Sequence, residues 1–383
     1  MRTPSAMTKR FRLRTRWIVL AGLLLVAGLY GGVCCVPPES FRQVNTPRAG
    51  VALNGRVAVV YSNQYQIHLG GLERLHPFDI GKYAKIYLKL QTDGYLRPED
   101  VFVPAPLTDE QALLVHTREY LATLGDTAKV AAYLEAPYLA VMPAAAMDAG
   151  VLAPFRAASG GTILAGRLAL RHGIAINIGG GYHHAMPDTG GGFNVYADLA
   201  IAIRQLRKEG LIRRAAVVDL DVHQGNGTST VFAGDPDVFT FDMHEGDIYP
   251  HPKAHSTLDV PLPAGTGDEE YLATLRQHLG GVLQRAKPDI VFLQGGCDVL
   301  ADDPLAHLQL TPRGLADRDA TVIDACVQRG IPVAMVMGGG YSKDAWAAQA
   351  DSIIRTIRTH ALAGAAPGNP PRERSTKEAL YVK

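Results

Sequence analysis

Along the chain, short apolar runs alternate with longer stretches in which apolar residues recur every three to four positions. The first pattern predicts buried strands and the second predicts amphipathic helices. "RVAVVYS" (56–62) reads as a first strand, and "DEQALLVHTREYLATL" (109–124) and "GGTILAGRLALRHG" (160–173) read as helices. Five further apolar runs each pass into a polar, glycine-rich or acidic loop. They are "GIAINIGGGYHH" (173–184), "AAVVDLDVHQGNG" (215–227), "DVFTFDMHEGD" (237–247), "DIVFLQGGCDVL" (289–300) and "IPVAMVMGGGYS" (331–342). Helical stretches at 194–210 and 268–287 separate them. This alternation predicts an α/β fold, an open and mostly parallel sheet with helices on both faces. Strands that are apolar almost throughout agree with burial on both sides. Ligands bind such sheets beyond the carboxyl ends of the strands. The five polar loops are therefore expected to meet in one active site.

Composition adds few constraints. The 383 residues, 47% hydrophobic and 20% charged, suffice for a sizeable core. A net charge of +1 provides no pull toward nucleic acid, so direct nucleic-acid binding is not expected. Four cysteines make no disulfide framework and no CxxC pattern suggests structural zinc; Cys297 and Cys326 read as small buried hydrophobes.

The N-terminus changes the picture. A basic stretch, "TKRFRLRTR" (8–16), precedes the uncharged "WIVLAGLLLVAGLYGGVCCV" (17–36). About 20 apolar residues are enough to span a bilayer as a helix, and no A-x-A cleavage site follows. The expectation is a single-pass membrane anchor with the basic end in the cytoplasm and the catalytic part outside it. The alternative is a cleaved signal and a secreted protein. The chain thus divides into a basic N-terminus and anchor or signal segment (1–36), a catalytic domain (37–362) and a Pro-rich, charged, flexible tail (363–383).

The chemistry lies in the loops. Asp219, Asp221 and His223 alternate along one stretch and so share a face if it is extended. Buried carboxylates are costly unless paired or metal-bound. Asp298 ends another run. One histidine and two aspartates make a mixed N/O site in which zinc keeps a position open, as catalytic zinc does. The bland reading is an ordinary acidic turn. His183 and His184 in "GGGYHH" are candidates for general acid and base, or else ordinary loop histidines. Each needs a partner on its other ring nitrogen, and Asp219 and Asn226 are the candidates. Tyr341 in "GGGYS" is placed to donate to a developing oxyanion, or to sit in the core as a satisfied tyrosine. Phe193 in "GGGFN" would wall a narrow channel, or simply pack.

Taken together, "GGGYHH", "GGGFNVYADLAIAI", "DLDVHQGNG", "GGCDVLADDPL" and "GGGYS", in this order, resemble the histone deacetylase superfamily. "GLERLHPFDIGKY" and "GGTILAGRLAL" look most like its class IV branch. The resemblance covers roughly residues 55 to 360 and implies an arginase/deacetylase-like fold. It implies one zinc ion on Asp221, His223 and Asp298, with a structural potassium near that loop. It implies His184 as base and acid, oriented by Asn226, and His183 as its electrostatic partner, oriented by Asp219. Tyr341 would polarise the amide carbonyl, Phe193 would line the acyl channel, and the Gly192 carbonyl would accept from the substrate amide.

Two departures stand out. Asn226 occupies a position where several classes have aspartate, which makes the relay neutral. "MHEGDIYPH" (243–251) differs from the loop that usually supplies a second channel aromatic, and His244 is the nearest candidate there. The reaction implied is hydrolysis of an N-acyl amide: acetyl-lysine, fatty-acyl-lysine, or an acetylated amine such as an acetylpolyamine. For a polyamine, Glu245 and Asp247 are candidate acids at the channel mouth. One competing reading is a catalytically silent, membrane-anchored protein that holds an acylated ligand. Another is an arginase-type ureohydrolase, whose second metal would need aspartates where this chain has Gly225 and Leu300.

Overall fold

The computed structural model describes residues 52, 53 and 55–362. Eight strands form one sheet in the order β2-β1-β3-β8-β7-β4-β5-β6, and every pair is parallel. In chain order the strands and the longer helices are β1 (Val57–Val60), α1 (Lys82–Thr92), β2 (Val101–Phe102), α2 (Ala153–His172), β3 (Ile174–Asn177), α3 (Asp198–Lys208), β4 (Ala215–Asp219) and α4 (Asn226–Val231). They continue with β5 (Val238–Glu245), β6 (Leu258–Leu262), α5 (Asp268–Ala286), β7 (Ile290–Gln294), α6 (Pro312–Gln328), β8 (Val333–Val336) and α7 (Ala345–Ile357).

The central strands are apolar on both sides because both sides are covered. Along β1, Val57 and Val59 join one buried cluster while Ala58 and Val60 join another on the opposite face. Covering helices remove these faces from water, the main source of stability in such a fold. The two edges are blunt. β2 has two residues, and β6 carries Pro261, which edge strands tolerate.

The five runs picked out from the sequence become β3, β4, β5, β7 and β8, and in the sheet these are contiguous, β3-β8-β7-β4-β5. Their carboxyl ends therefore lie side by side, which places the polar loops together. The long helix expected over 109–124 is broken. Helices Asp109–Ala112 and Arg118–Thr123 are separated by a turn, and Thr108 and Thr117 each cap a new start. A hydroxyl that accepts from the third backbone N–H of a following turn starts a helix as readily as it interrupts one.

The membrane-anchored reading is corrected here. Among the described residues no helix is long and apolar enough to cross a membrane. The segment at 17–36 that carried this expectation, and the tail at 363–383, lie outside the described residues.

Candidate active site

The loop after β3 carries the two histidines. It turns through Gly180 (φ 72°) and Gly181 (φ 89°), a left-handed backbone that favours glycine. Asp198, in the first turn of α3, holds it. Its carboxylate accepts from Gly181 N at 2.9 Å, Tyr182 N at 2.7 Å and Thr162 Oγ1 at 2.6 Å. His183 Nδ1 lies 2.9 Å from Asp219 Oδ2, and His184 Nδ1 lies 2.7 Å from Asn226 Oδ1. The two imidazoles are 4.0 Å apart, centre to centre. Each is tied through Nδ1, which leaves Nε2 for chemistry.

Their environments push them apart. Burial lowers His183, but Asp219 and Asp221 outweigh it and raise it to about 9. Burial holds His184 well below the usual imidazole range, and charges on His183 and His223 add to that. The two environments thus oppose each other: carboxylates favour a charge on His183, and burial disfavours one on His184.

β4 ends at Asp219, so Asp221 and His223 stand beyond the strand proper. The extended run persists through bonds from Leu220 N to Gln294 O and from Glu245 N to Val222 O. Asp221, His223 and Asp298 offer ligand atoms within 4.8 Å of one another, and all three are buried. His223 Nδ1 lies 3.1 Å from Asp298 Oδ2 and 3.4 Å from Asp221 Oδ1. Burial opposes a charge on His223, yet the two carboxylates raise it to about 10. Two buried carboxylates facing one imidazole, with no lysine or arginine paired to them among the described residues, form a candidate metal-binding group. Glycine is required beside it: a Cβ on Gly296 would collide with the Asp221 carboxylate, and one on Gly339 with that of Asp298.

Tyr341 follows β8. Its backbone N donates to Asp303 Oδ2 at 2.8 Å, and Lys82 Nζ donates to the carbonyls of Gly338 (3.1 Å) and Gly339 (2.6 Å) in the same loop. The ring centre lies 6.3 Å from that of His223. Burial, then Asp298 and Asp221, hold its phenol well above the ordinary range, so it remains a donor. Phe193 takes a left-handed backbone (φ 66°) and lies 5.9 Å from Tyr341. Such a conformation costs on the order of 1–3 kcal/mol in a non-glycine residue, and it places an aromatic beside Tyr341. His183, His184, Gly192, Phe193 and Tyr341 line one cavity, whose other walls include Phe78, Tyr138, Leu139 and Phe155.

One candidate lies elsewhere. β5 runs on through Glu245, so His244 is inside the strand, buried, with Nδ1 2.7 Å from Asp242 Oδ1. It cannot wall a channel. Asp242, His244 and Asp259 form a second Asp/His/Asp group. Gly225 N donates to Asp242, and Gln224 Nε2 and Ser256 N donate to Asp259, so these acids brace the loop that carries Asn226. The aromatic missing from the sequence reading is Tyr249, 40% exposed and 4.9 Å from His184, centre to centre. An aromatic just past the end of β5 was the available signal. Asp198, Asp303 and Lys82 were also missed, since only the tertiary fold reveals their partners. Glu245 is not a free acid at the channel mouth either: it is buried, and both its oxygens bond to His307.

Residues 76–357 match the family described as the histone deacetylase domain. The chain belongs to the histone deacetylase family. It is 38% identical over 306 residues to histone deacetylase 2 of Arabidopsis thaliana, covering 79% of each chain. It is 30% identical over 268 residues to the acetoin utilization protein AcuC of Bacillus subtilis, covering 66% of this chain and 68% of that one. Among solved structures, the HD domain of HDA15 aligns with a TM-score of 0.63 at 21% identity, covering 80% of this chain and 92% of that one, which shows the shared fold. Membership makes this chain a hydrolase of the deacetylase class, and its eight-stranded parallel sheet is the fold expected of that family.

Proposed function

We propose that this histone deacetylase family member hydrolyses N-acyl amides at the cavity lined by His183, His184 and Tyr341. One zinc ion would be held by Asp221, His223 and Asp298. The observation that carries the reading is the pairing of the two adjacent imidazoles with different partners, a carboxylate and an amide, beside a buried three-donor group. One imidazole and two carboxylates suit zinc with an open position. When bound, the metal would acidify a water and polarise the substrate carbonyl.

The chain's own residues supply the remainder. Neutral His184 takes the proton from the attacking water. Tyr341, still protonated, donates to the oxygen that becomes negative. His183, held by Asp219, serves as the electrostatic partner of His184, and the histidine pair returns a proton to the departing amine. Phe193 and Tyr249 flank the acyl group, and the Gly192 carbonyl accepts from the substrate amide. The resemblance also implies a structural potassium near the metal-ligand loop, and Asp219, Asp221 and His223 would match its site in part.

Of the two acids considered for a polyamine, Glu245 is already engaged by His307, while Asp247 is exposed and Glu73 lines the cavity, so acyl-lysine and acetylpolyamine are both assayed. The test is turnover of lysine peptides carrying acetyl to myristoyl groups, and of acetylpolyamines, with and without a chelator. Chelation abolishes turnover and zinc restores it. Tyr341→Phe lowers kcat about 100-fold or more while zinc content stays that of the parent. Turnover indifferent to chelation, or an unimpaired Tyr341→Phe, overturns the reading.

A further inference from the structure

Arg318 lies within α6 and is wholly buried. Its Nε donates to Asp319 Oδ1 at 2.9 Å, and Asp319 Oδ2 accepts from Ser352 Oγ at 2.6 Å. Nη2 lies 2.7 Å from that same Oδ1. The remaining nitrogen, Nη1, donates to two backbone carbonyls, Leu220 O at 2.9 Å and Gly296 O at 2.6 Å. Leu220 sits between Asp219 and Asp221, and Gly296 two positions before Asp298. A single nitrogen therefore bridges the two loops that carry all three metal-donor residues.

The peptide planes show what the bridge does. The Leu220–Asp221 peptide has its oxygen on Arg318 and its N–H on Asp219 Oδ1, at 3.2 Å. The Gly296–Cys297 peptide has its oxygen on Arg318 and its N–H on Gly339 O, at 3.0 Å. Both planes are held at both ends, and each leads directly into a donor residue or its neighbour. The fold alone does not demand this, since a buried ion pair replaced by packed apolar groups is often as stable or more so.

We propose that Arg318 is a positioning residue that clamps the β4 and β7 loops together and sets the spacing of Asp221 and His223 against Asp298. Asp319 anchors the guanidinium so that Nη1 reaches both carbonyls. The inference rests on the metal site proposed above.

The experiment measures zinc affinity by chelator competition, the visible spectrum of the cobalt(II)-loaded protein, and the melting temperature, without assaying activity. R318M/D319L removes both buried charges together, so it is expected to fold. Its zinc affinity falls about tenfold to 100-fold, the usual loss on removing an outer partner of metal ligands, and its cobalt spectrum shifts. Asp319→Asn, whose Oδ1 still accepts from the guanidinium and so keeps it anchored on both carbonyls, retains the parent's affinity even at a lower melting temperature. If R318M/D319L does not fold, Arg318→Lys serves, with weakened affinity expected. Parent-like affinity and spectrum in R318M/D319L or in Arg318→Lys overturn the clamp. So does an affinity that merely follows melting temperature across all variants, the mark of a purely structural arginine. A parent protein that binds no zinc fails the metal site itself, and the clamp with it.

Discussion

A neutral amide, not a carboxylate, orients His184. Asn226 therefore places no negative charge beside His184, the proposed base, whose pKa burial holds well down. Asn226→Asp places a carboxylate on Nδ1 and raises the pKa of His184. The base must be neutral to act, so the acid limb of the kcat/KM profile moves to higher pH. A limb that stays in place or moves the other way removes His184 from the role of base. His116 gives a stability counterpart. Its Nδ1 lies 2.9 Å from Met186 O, and Nε2 accepts from Ala197 N at 3.0 Å, so the ring is neutral. Burial lowers it from 6.5 to about 4. The folded state thus binds fewer protons than the unfolded chain between those values. Stability is full above about pH 6.5 and falls as pH drops toward 4, by roughly 3 kcal/mol at most. Urea melts between pH 7 and 4.5 measure this slope, and His116→Gln flattens it. Sequence made the histidine pair and the three donors legible because each stands in a distinctive local pattern. His244 was misplaced because the end of β5 is not visible in a run that stays apolar and mixed through Glu245.

The element that governs the catalytic loop is the start of α3. Asp198 accepts three hydrogen bonds there, and nothing nearby in sequence announces that its partners are Gly181, Tyr182 and Thr162. Asp198→Asn turns one acceptor oxygen into a donor facing donors. The expected cost is about 2–4 kcal/mol in a denaturation midpoint series, together with a lower kcat, because loss of charged acceptors leaves buried N–H groups unmet. A variant as stable as the parent would show that α3 does not hold the loop. The six inner strands were legible from sequence because burial on both faces leaves uninterrupted apolar runs, while the edge strands β2 and β6 were not; α5 and the part of α2 from residue 160 were legible because their apolar spacing is sustained. The break at Thr117 was not, since Thr117 N bonds to Pro187 O and the turn depends on a residue far along the chain.

At the scale of the whole molecule, the buried donor group couples metal to folding. Anything bound by the folded chain alone stabilises it by mass action, about 2.7 kcal/mol at a free concentration 100 times Kd. Zinc therefore raises the melting temperature of the chelated protein, and Asp298→Asn reduces that gain; an unshifted melting curve argues against a zinc site.

The sheet order has a further consequence in time. β7 and β8 are made last, yet they fill the gap between β3 and β4. Until β7 and β8 are made, β2-β1-β3 and β4-β5-β6 have no strand to connect them, and each group would have an unpaired flank. The segment from Ile290 to Val336 joins them; Asp298 arrives with it and Tyr341 five residues after it. Closure of the sheet and the gathering of the proposed site thus both wait for the last third of the chain.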